Sequence, residues 1–314
     1  MNSSSIAGHS GLSRIRLFMA LSRTPHGLLD MTTPALGALM WLGGIPPLHI
    51  AALGFLTAFA GYTAVYALND LVDYRVDRSK LMQFGLPPSS GDLDSVYARH
   101  PLAQGLLSIR EGLLWTLAWG ALALLSAYSL NPACALIFVT GCLAEAIYCK
   151  MLKVSYLRTL VSGGVKTAGA IAAVFAVSPD PSALFLLVLF LWLFFWEIGG
   201  QNVPNDWIDL EEDGRLGAET IPVRFGSEGS AVIIMVTLAV ANVLSLFIYW
   251  ATPAPLHPIY LVGAAGAGTC LLLLPAFRLY TSRSAGDAAL LFNRSSYYPL
   301  TMLTTVLISS CLSG

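Results

Sequence analysis

Long apolar runs separated by shorter polar segments make up most of the chain. A helix needs about 20 apolar residues to cross roughly 30 Å of hydrocarbon, and about nine segments reach this length. The pattern therefore predicts an all-α integral membrane protein with about nine transmembrane helices. The predicted spans are residues 27–44, 48–68, 112–130, 132–149, 159–177, 182–202, 230–251, 256–280 and 288–312.

The connections between the predicted spans are of two kinds. Turns such as Gly43-Gly44 and Asn131-Pro132 are short and carry residues that interrupt helices. The connections after the second and sixth spans, at about 69–111 and 203–229, are long and polar. We predict one domain over 1–314, with residues 1–13 flexible. Because the first apolar run is long enough to be a full span, no cleaved leader is expected.

Charged residues are scarce, at 11% of the chain against 56% hydrophobic residues, whereas soluble domains usually carry about 25% charged residues. A net charge of -1 argues against a nucleic-acid partner. All 17 Lys and Arg residues fall on one side of the predicted topology, and the opposite side carries Asp180. Since positive residues concentrate on the cytoplasmic side, we predict a cytoplasmic N-terminus and an outer C-terminus, in a bacterial inner membrane or an organellar membrane.

Six of the eleven aspartates lie in two stretches with the same spacing, N-D-x-x-D-x-x-x-D. On a helix this spacing places the asparagine and the three aspartates within an arc of roughly 100°. Four predicted crossings separate the two copies, so both are expected on the same side of the membrane, facing one cavity. The two copies are Asn69, Asp70, Asp73 and Asp77, and Asn205, Asp206, Asp209 and Asp213.

Clustered carboxylates at a membrane surface repel one another unless a cation neutralises them. Hard oxygen ligands at this density suit Mg²⁺, which keeps several waters and is shared with substrate phosphates. The spacing therefore favours a diphosphate held through Mg²⁺. The alternative interpretation, in which the acids are only the solvated ends of membrane helices, does not account for two matching copies at equivalent positions.

Three further segments accompany the acidic motifs. They are Arg23-Thr24-Pro25 before the first span, 99–108 (RHPLAQGLLS) in the first long connection, and 219–226 (ETIPVRFG) after the second motif. Together with the two motifs, these segments resemble the UbiA superfamily of intramembrane prenyltransferases over essentially the full chain. The resemblance implies about nine transmembrane helices around a central cavity, capped by the two long cytoplasmic loops. It also implies a prenyl diphosphate donor, a lipophilic acceptor that is usually aromatic, membrane lipid around the protein, and a Mg²⁺ cofactor.

The resemblance also implies roles for individual residues. Asp73 and Asp209 are expected to act in catalysis, with Lys153 and Tyr148 in the fourth-to-fifth connection as further candidates. Tyr148 is followed by Lys150 and Lys153 at a spacing that departs from the family's Y-x-x-x-K pattern. The implied metal ligands are Asn69, Asp73, Asp77, Asp209 and Asp213, and the implied substrate-binding residues are Asn69, Asp70, Arg23, Lys150, Asn205, Asp206, Arg224 and Glu197.

Some positions keep two interpretations. Glu197 lies in an apolar span, where it contacts the acceptor or takes its proton, or is instead a buried protonated acid bonded to a neighbouring helix. The 79–98 segment is either a mobile lid over the diphosphate site or a disordered insertion.

Two other functions remain open. A membrane terpene cyclase or a prenyl-diphosphate hydrolase would use the same metal site without an acceptor. A cation- or phosphate-coupled transporter is an alternative of another class, although it predicts ionisable residues nearer the middle of the membrane.

Overall fold

The computed structural model describes residues 13–85 and 93–313, apart from the side chain of Ser95. Within these ranges the chain is helical and contains no strand, which confirms the predicted all-α class. Most of the predicted flexible segment 1–13, and residues 86–92 of the 79–98 segment, lie outside the described residues.

Three short helices begin the described chain. The first two, α1 (Arg14–Leu21) and α2 (Thr24–Asp30), are joined through Arg23, whose φ of 44° is left-handed. The third, α3 (Thr32–Leu42), follows α2 after Met31. The predicted span 27–44 is therefore built from two helices that meet near Met31.

The longest helix, α4 (Leu48–Phe84), carries the first acidic motif. Its 37 residues correspond to a length of about 55 Å, which exceeds the roughly 30 Å of hydrocarbon. The helix ends at Gly85, where a φ of 78° suits a residue without a Cβ. The connection predicted at 69–111 is thus helical as far as Phe84, and the motif lies on a rigid extension of the span.

Three long helices complete the first half of the bundle. A capping box at the start of α5 (Ile109–Leu130) pairs Ser108 with Glu111. At the start of α6 (Pro132–Lys150), the Asn131 side chain accepts a hydrogen bond from the backbone N–H of Ala133 at 2.9 Å. The next long helix is α7 (Arg158–Val177).

The second half contains several helices interrupted by irregular turns. A π-helical turn (Glu197–Asn202) joins α8 to α9, and a second one (Gly268–Leu273) joins α12 to α13. Gly226, with a φ of 68°, breaks α11 near its start. These helices are α8 (Ala183–Trp196), α9 (Val203–Ile208), α10 (Leu210–Leu216), α11 (Ile221–Ala251), α12 (Ile259–Ala267), α13 (Leu274–Ser282), α14 (Ala285–Ser296) and α15 (Tyr298–Ser313).

Seven helices within the described residues are long and apolar enough to cross a membrane, and each coincides with one predicted span. The multi-pass membrane class is therefore confirmed. The first and ninth predicted spans correspond to pairs of shorter helices, α2 with α3 and α14 with α15. The number nine stays a prediction, because neither pair forms one uninterrupted helix.

Buried aromatic residues tie α8 to the C-terminal helices. Trp192 Nε1 donates to the Tyr298 hydroxyl at 3.1 Å, and Trp196 Nε1 donates to the carbonyl oxygen of Ser295 at 3.0 Å. Both indoles are almost completely buried, and these bonds satisfy their polar N–H groups. On the outside of the bundle, large apolar side chains such as Leu114 and Trp250 are exposed, as expected of a surface covered by lipid.

Close packing of α3 on α7 gives a first testable prediction. A Cβ at Gly37 would lie 2.8 Å from the carbonyl oxygen of Ala170, and neither backbone can move without separating the helices. We expect Gly37→Ala to lower the free energy of unfolding by about 1–3 kcal/mol. Thermal unfolding of the purified protein in detergent measures this loss.

Gly266→Ala is the matched control, because no described heavy atom lies within 4 Å of the position that its Cβ would take. We expect its melting temperature to equal or slightly exceed that of the wild type. Equal melting temperatures for the two variants would show that α3 and α7 do not pack as described.

Candidate active site

A cavity of about 690 Å³ runs through the first half of the bundle. One end is polar and is lined by both acidic motifs, whereas the other end is lined mainly by apolar and small side chains. This polarity matches a ligand with a charged head and an apolar tail. Aspartates at the polar end are Asp70, Asp73, Asp77, Asp94, Asp206, Asp209 and Asp213.

The first acidic motif occupies one face of α4, as its spacing predicts. Asp70 and Asp77 are buried, and His100 Nδ1 lies 3.1 Å from Asp70 Oδ1 and 3.0 Å from Asp77 Oδ2. Burial opposes protonation of this imidazole, but the charges of Asp77 and Asp70 outweigh it and raise the pKa of His100 to about 10. A protonated His100 therefore bridges the two carboxylates at neutral pH.

The second acidic motif differs from the first in its backbone. Asp206 belongs to α9 and Asp213 to α10, whereas Asp209 lies at the turn between these helices, with φ −93° and ψ 10°. The prediction of one helix face is therefore wrong for this copy. All three carboxylates nevertheless line the cavity, together with Asn205, so the prediction that both motifs face one cavity is confirmed.

Basic side chains pair with the carboxylates at the polar end. The Arg99 guanidinium donates to Asp209 Oδ2 at 2.8 Å, and Lys80 Nζ donates to Asp213 Oδ1 at 2.7 Å. More distant pairs, each at 3.9 Å, join Arg23 to Asp70 and Arg158 to Asp206. These partners offset the cost of placing so many acids at the end of an apolar bundle.

Asp94, Arg99 and His100, which follow α4 in the chain, line the polar end of the cavity. Asp94 fixes this segment there. Asp94 Oδ2 accepts a hydrogen bond from Arg23 Nη1 at 3.1 Å, and Asp94 Oδ1 lies 2.5 Å from His26 Nδ1. Burial alone would raise the pKa of this carboxyl, but the charges of His26 and Arg23 hold it well below its usual range. Arg23 also donates to Asn69 Oδ1 at 3.0 Å, so the same guanidinium contacts the first acidic motif.

The donor set fits a hard divalent cation. Among the described residues, the buried oxygens Asp70 Oδ2 and Asp206 Oδ2 have no hydrogen-bond partner. Each belongs to a different acidic motif, and both side chains line the cavity. Unpartnered carboxylate oxygens are the ligands that Mg²⁺ prefers. The residues present are thus suited to Mg²⁺, whereas they include no thiolate pair that would favour a softer metal.

A second layer of polar residues lies deeper along the cavity. Asn69 Nδ2 donates to Glu145 Oε1 at 2.7 Å, and Ser162 Oγ donates to Glu197 Oε1 at 2.8 Å. Glu197 is buried in the π-helical turn and bonded to α7, and it also lines the cavity, so both of its interpretations stay predictions. Lys166 Nζ donates to Asp30 Oδ2 at 2.6 Å, so this lysine is neutralised within the bundle.

Three predicted substrate or catalytic residues are not brought to the cavity wall. Lys150, Lys153 and Arg224 have exposed side chains and are not among the lining residues. Their proposed roles stay untested predictions. Tyr148 does line the cavity, and the Arg158 guanidinium lies 4.1 Å from the centroid of its ring. One face of this ring is therefore already covered by a cation.

Several residues of the site were not identified as site residues from the sequence. Arg99 and His100 belong to the 99–108 segment, which the sequence pattern singled out. The pattern did not predict which carboxylates these two residues contact. Lys80, Asp94 and Arg158 gave no signal of their own, because each is an ordinary charged residue in a cytoplasmic-type connection. Only the fold shows that Arg158 is buried and directed towards Asp206.

The fold and the site together define a multi-pass helical membrane protein with two acidic clusters at one end of a cavity. The model of the UbiA prenyltransferase family matches residues 31–297, and the chain belongs to this family. The predicted family and the class of enzyme, a prenyltransferase, are thereby confirmed.

Curated relatives and solved structures agree with this assignment. The chain is 26% identical to digeranylgeranylglyceryl phosphate synthase of Methanosarcina mazei, over 81% of each chain. It is 25% identical to protoheme IX farnesyltransferase of Shewanella denitrificans, over 94% of this chain and 96% of the relative.

Two solved structures share the fold. One is the apo structure of a UbiA homolog from Aeropyrum pernix K1, with a TM-score of 0.71 and 19% identity over 90% of this chain and 97% of that chain. The other is a UbiA homolog from Archaeoglobus fulgidus bound to DMAPP and Mg²⁺, with a TM-score of 0.65 and 19% identity over 93% of this chain and 99% of that chain.

The buried contacts of Asp94 generate a prediction about the segment over the cavity. Because Asp94→Ala leaves Arg23 and His26 without this carboxylate, we expect local opening of residues 93–108 to become easier by about 3 kcal/mol. Hydrogen exchange of the backbone amides in this segment should then be roughly 100-fold faster.

The pH dependence follows from the lowered pKa of Asp94. The stabilisation of the segment by Asp94 is fully present above the pKa of this carboxyl in the unfolded chain, about 3.9. It is lost as the pH falls towards the lower pKa in the folded protein. Wild-type protection should therefore approach that of the variant in strong acid. Glu228→Ala is the control, because Glu228 is 76% exposed and pairs with Arg283 at 3.7 Å. If both variants exchange like the wild type, Asp94 does not hold the segment.

Proposed function

We propose that this protein is a Mg²⁺-dependent prenyltransferase that transfers a prenyl group from an allylic diphosphate to an aromatic or other lipophilic acceptor. The observation that carries the proposal is the meeting of both acidic motifs at the polar end of one cavity whose remainder is apolar. A diphosphate needs the polar end, and a prenyl chain needs the apolar end. The A. fulgidus homolog bound to DMAPP and Mg²⁺ supports this choice of ligands.

Carboxylates from both motifs would hold the metal. We assign Asp73 and Asp77 of α4, with Asp209 and Asp213 of the second motif, as its ligands, and Asn69 as a ligand that Glu145 and Arg23 orient. Asp70 and Asp206 each contribute a buried oxygen that lacks a hydrogen-bond partner among the described residues. When bound, Mg²⁺ neutralises the charge that develops on the departing pyrophosphate.

Residues of the chain supply the rest of the chemistry. The bond between C1 and the diphosphate oxygen breaks, and its electron pair leaves with pyrophosphate. Lys80, Arg99 and Arg158 lie beside the carboxylates and place positive charge where the diphosphate oxygens would lie. The acceptor then forms a bond to the allylic carbon and loses a proton. The apolar wall below the site excludes water, which would otherwise capture the cation.

The acceptor is proposed only as a class. The relatives named above act on different acceptors, as their names state, so the family does not select one. A cyclase or a hydrolase would retain the same metal site, and release of pyrophosphate without consumption of an acceptor would favour it. The family match favours an enzyme over the transporter alternative.

Removal of one aspartate from either motif tests the proposal directly. With purified protein, Mg²⁺, a series of labelled allylic diphosphates and a panel of phenolic, quinone-precursor, tetrapyrrole and sugar-phosphate acceptors, we expect Asp73→Ala and Asp209→Ala each to lower kcat by at least about 100-fold. Removing Mg²⁺ with a chelator should have a comparable effect. Pyrophosphate release and prenylated product are measured in parallel.

Asp180→Ala is the matched control, because Asp180 is an exposed aspartate in the connection between α7 and α8, outside the cavity wall. We expect it to retain wild-type activity. If the wild type and Asp73→Ala release no pyrophosphate with any donor, or release it equally, the proposed reaction is wrong.

We also propose that the N-terminus and both acidic motifs are cytoplasmic and that the C-terminus is on the opposite side. The support is the distribution of the 17 basic residues. In a variant whose five native cysteines are replaced, a cysteine at exposed Glu211 should react with an impermeant thiol reagent only from the cytoplasmic side, and one at Asp180 only from the other. The reverse pattern, or labelling of both from one side, would contradict this orientation.

A further inference from the structure

One face of α4 lines the cavity far beyond the acidic motif. Below Asp73, lining residues recur every three or four positions as far as Ile50, as expected for a single helix face. Ile50 and Asp73 are 23 positions apart, or about 35 Å along the axis, which is slightly more than the hydrocarbon thickness. The cavity therefore follows α4 over a length comparable to the thickness of a membrane instead of ending near the acidic site.

The opposite walls are lined over a comparable length. Along α7 the lining positions run from Arg158 to Val177, a distance of about 28 Å. The distal part of this wall consists of small side chains, and α3 contributes further alanines opposite α4. Because these side chains are short, the helices leave a continuous space between them. The alanines concerned are Ala35, Ala38, Ala172, Ala173 and Ala176.

The far end of this space is open. Ile45 and Phe55 line it and are 80% and 63% exposed. The cavity therefore opens to the outside of the bundle near these two residues, and an apolar tail that follows α4 from the acidic end would reach this opening. A Cβ at Gly54 would find no described heavy atom within 4 Å, which shows how much room the lining face of α4 leaves at this depth.

We propose that the donor is a long polyprenyl diphosphate whose tail lies along α4 from Tyr62 to Ile50, so that α4 determines donor length. This inference rests on the proposed function, because the acidic motifs must hold the diphosphate. An extended isoprenoid unit contains four backbone carbon–carbon bonds and is about 5 Å long. The distance from Asp73 to Ala51, about 33 Å, therefore accommodates about six units.

Two substitutions at different depths measure the path of the tail. Ala58 and Ala51 both line the cavity and are seven residues apart, or about 10 Å, which corresponds to two isoprenoid units. We expect Ala58→Phe to lower kcat/KM at least tenfold for donors longer than about four units. We expect Ala51→Phe to do so only beyond about six units. Both variants should retain wild-type turnover of a two-unit donor, which also shows that they are folded.

Ala52→Phe is the matched control. Ala52 adjoins Ala51 on the same helix, but its side chain is exposed and does not line the cavity. We expect the same dependence on donor length as in the wild type. If Ala58→Phe also keeps the wild-type ratio of kcat/KM for eight-unit and two-unit donors, the tail does not follow α4 and the inference is wrong.

A binding experiment separates this inference from the proposed function. A non-cleavable six-unit diphosphate analogue with a photoreactive group on its last unit should crosslink to residues 50–54 in the wild type. This result needs no turnover, so it supports the path of the tail even if no pyrophosphate is released from any donor. Crosslinking confined to residues near Tyr62, with turnover intact, would overturn the path while leaving the reaction in place.

Discussion

The structure depends on the cost of burying carboxylates at the end of an apolar bundle. Seven aspartates lie at one end of the cavity, and most of them are balanced by a basic partner from a distant part of the chain. These pairs connect α4, α10 and the segment after α4. The ion pairs that offset the cost of burying the carboxylates therefore also hold together the elements that close the site. A divalent cation and a diphosphate would enter a site whose carboxylates are already paired with basic side chains. Binding would therefore replace these pairs, with the cation taking the carboxylates and the basic side chains taking the diphosphate.

Side-chain size, rather than polarity, controls the other end of the cavity. The lining side chains of α3, α4 and α7 include many alanines and glycines, which are too short to fill the space between these three helices. In the second half of the bundle, by contrast, Trp192 and Trp196 fill the interior. In lipid there is little hydrophobic gain in bringing helices together, so packing determines where they touch. The helices around the two tryptophans are therefore tightly packed, whereas α3, α4 and α7 enclose the cavity. This asymmetry explains why the cavity lies beside the first acidic motif along its whole length.

Hydropathy predicted much of the fold, because a membrane span must be long and apolar to exist at all. It did not predict that α4 continues to Phe84, since a polar helical extension has no apolar run, although the spacing of its acids did indicate a helix. The two acidic motifs were predictable from repetition. Their partners were not, because Arg99 and Asp209 are 110 positions apart and meet only in the fold. For the same reason, the family resemblance favoured the exposed Lys153, despite its departure from the family's spacing, and overlooked the buried Arg158.

The continuity of α4 has a mechanical consequence. One uninterrupted helix of 37 residues carries both the first acidic motif and the face below it. The head and the tail of a ligand would therefore both be held by this one helix. The residues that bind the head cannot move along the membrane normal without moving the residues that line the tail. Any adjustment to a ligand of another shape must come from the helices opposite, where α2 and α3 meet near Met31 and where a π-helical turn interrupts the run from α8 to α9. In this bundle we therefore expect α4 to keep its position, and the interrupted helices around it to shift when a different ligand binds.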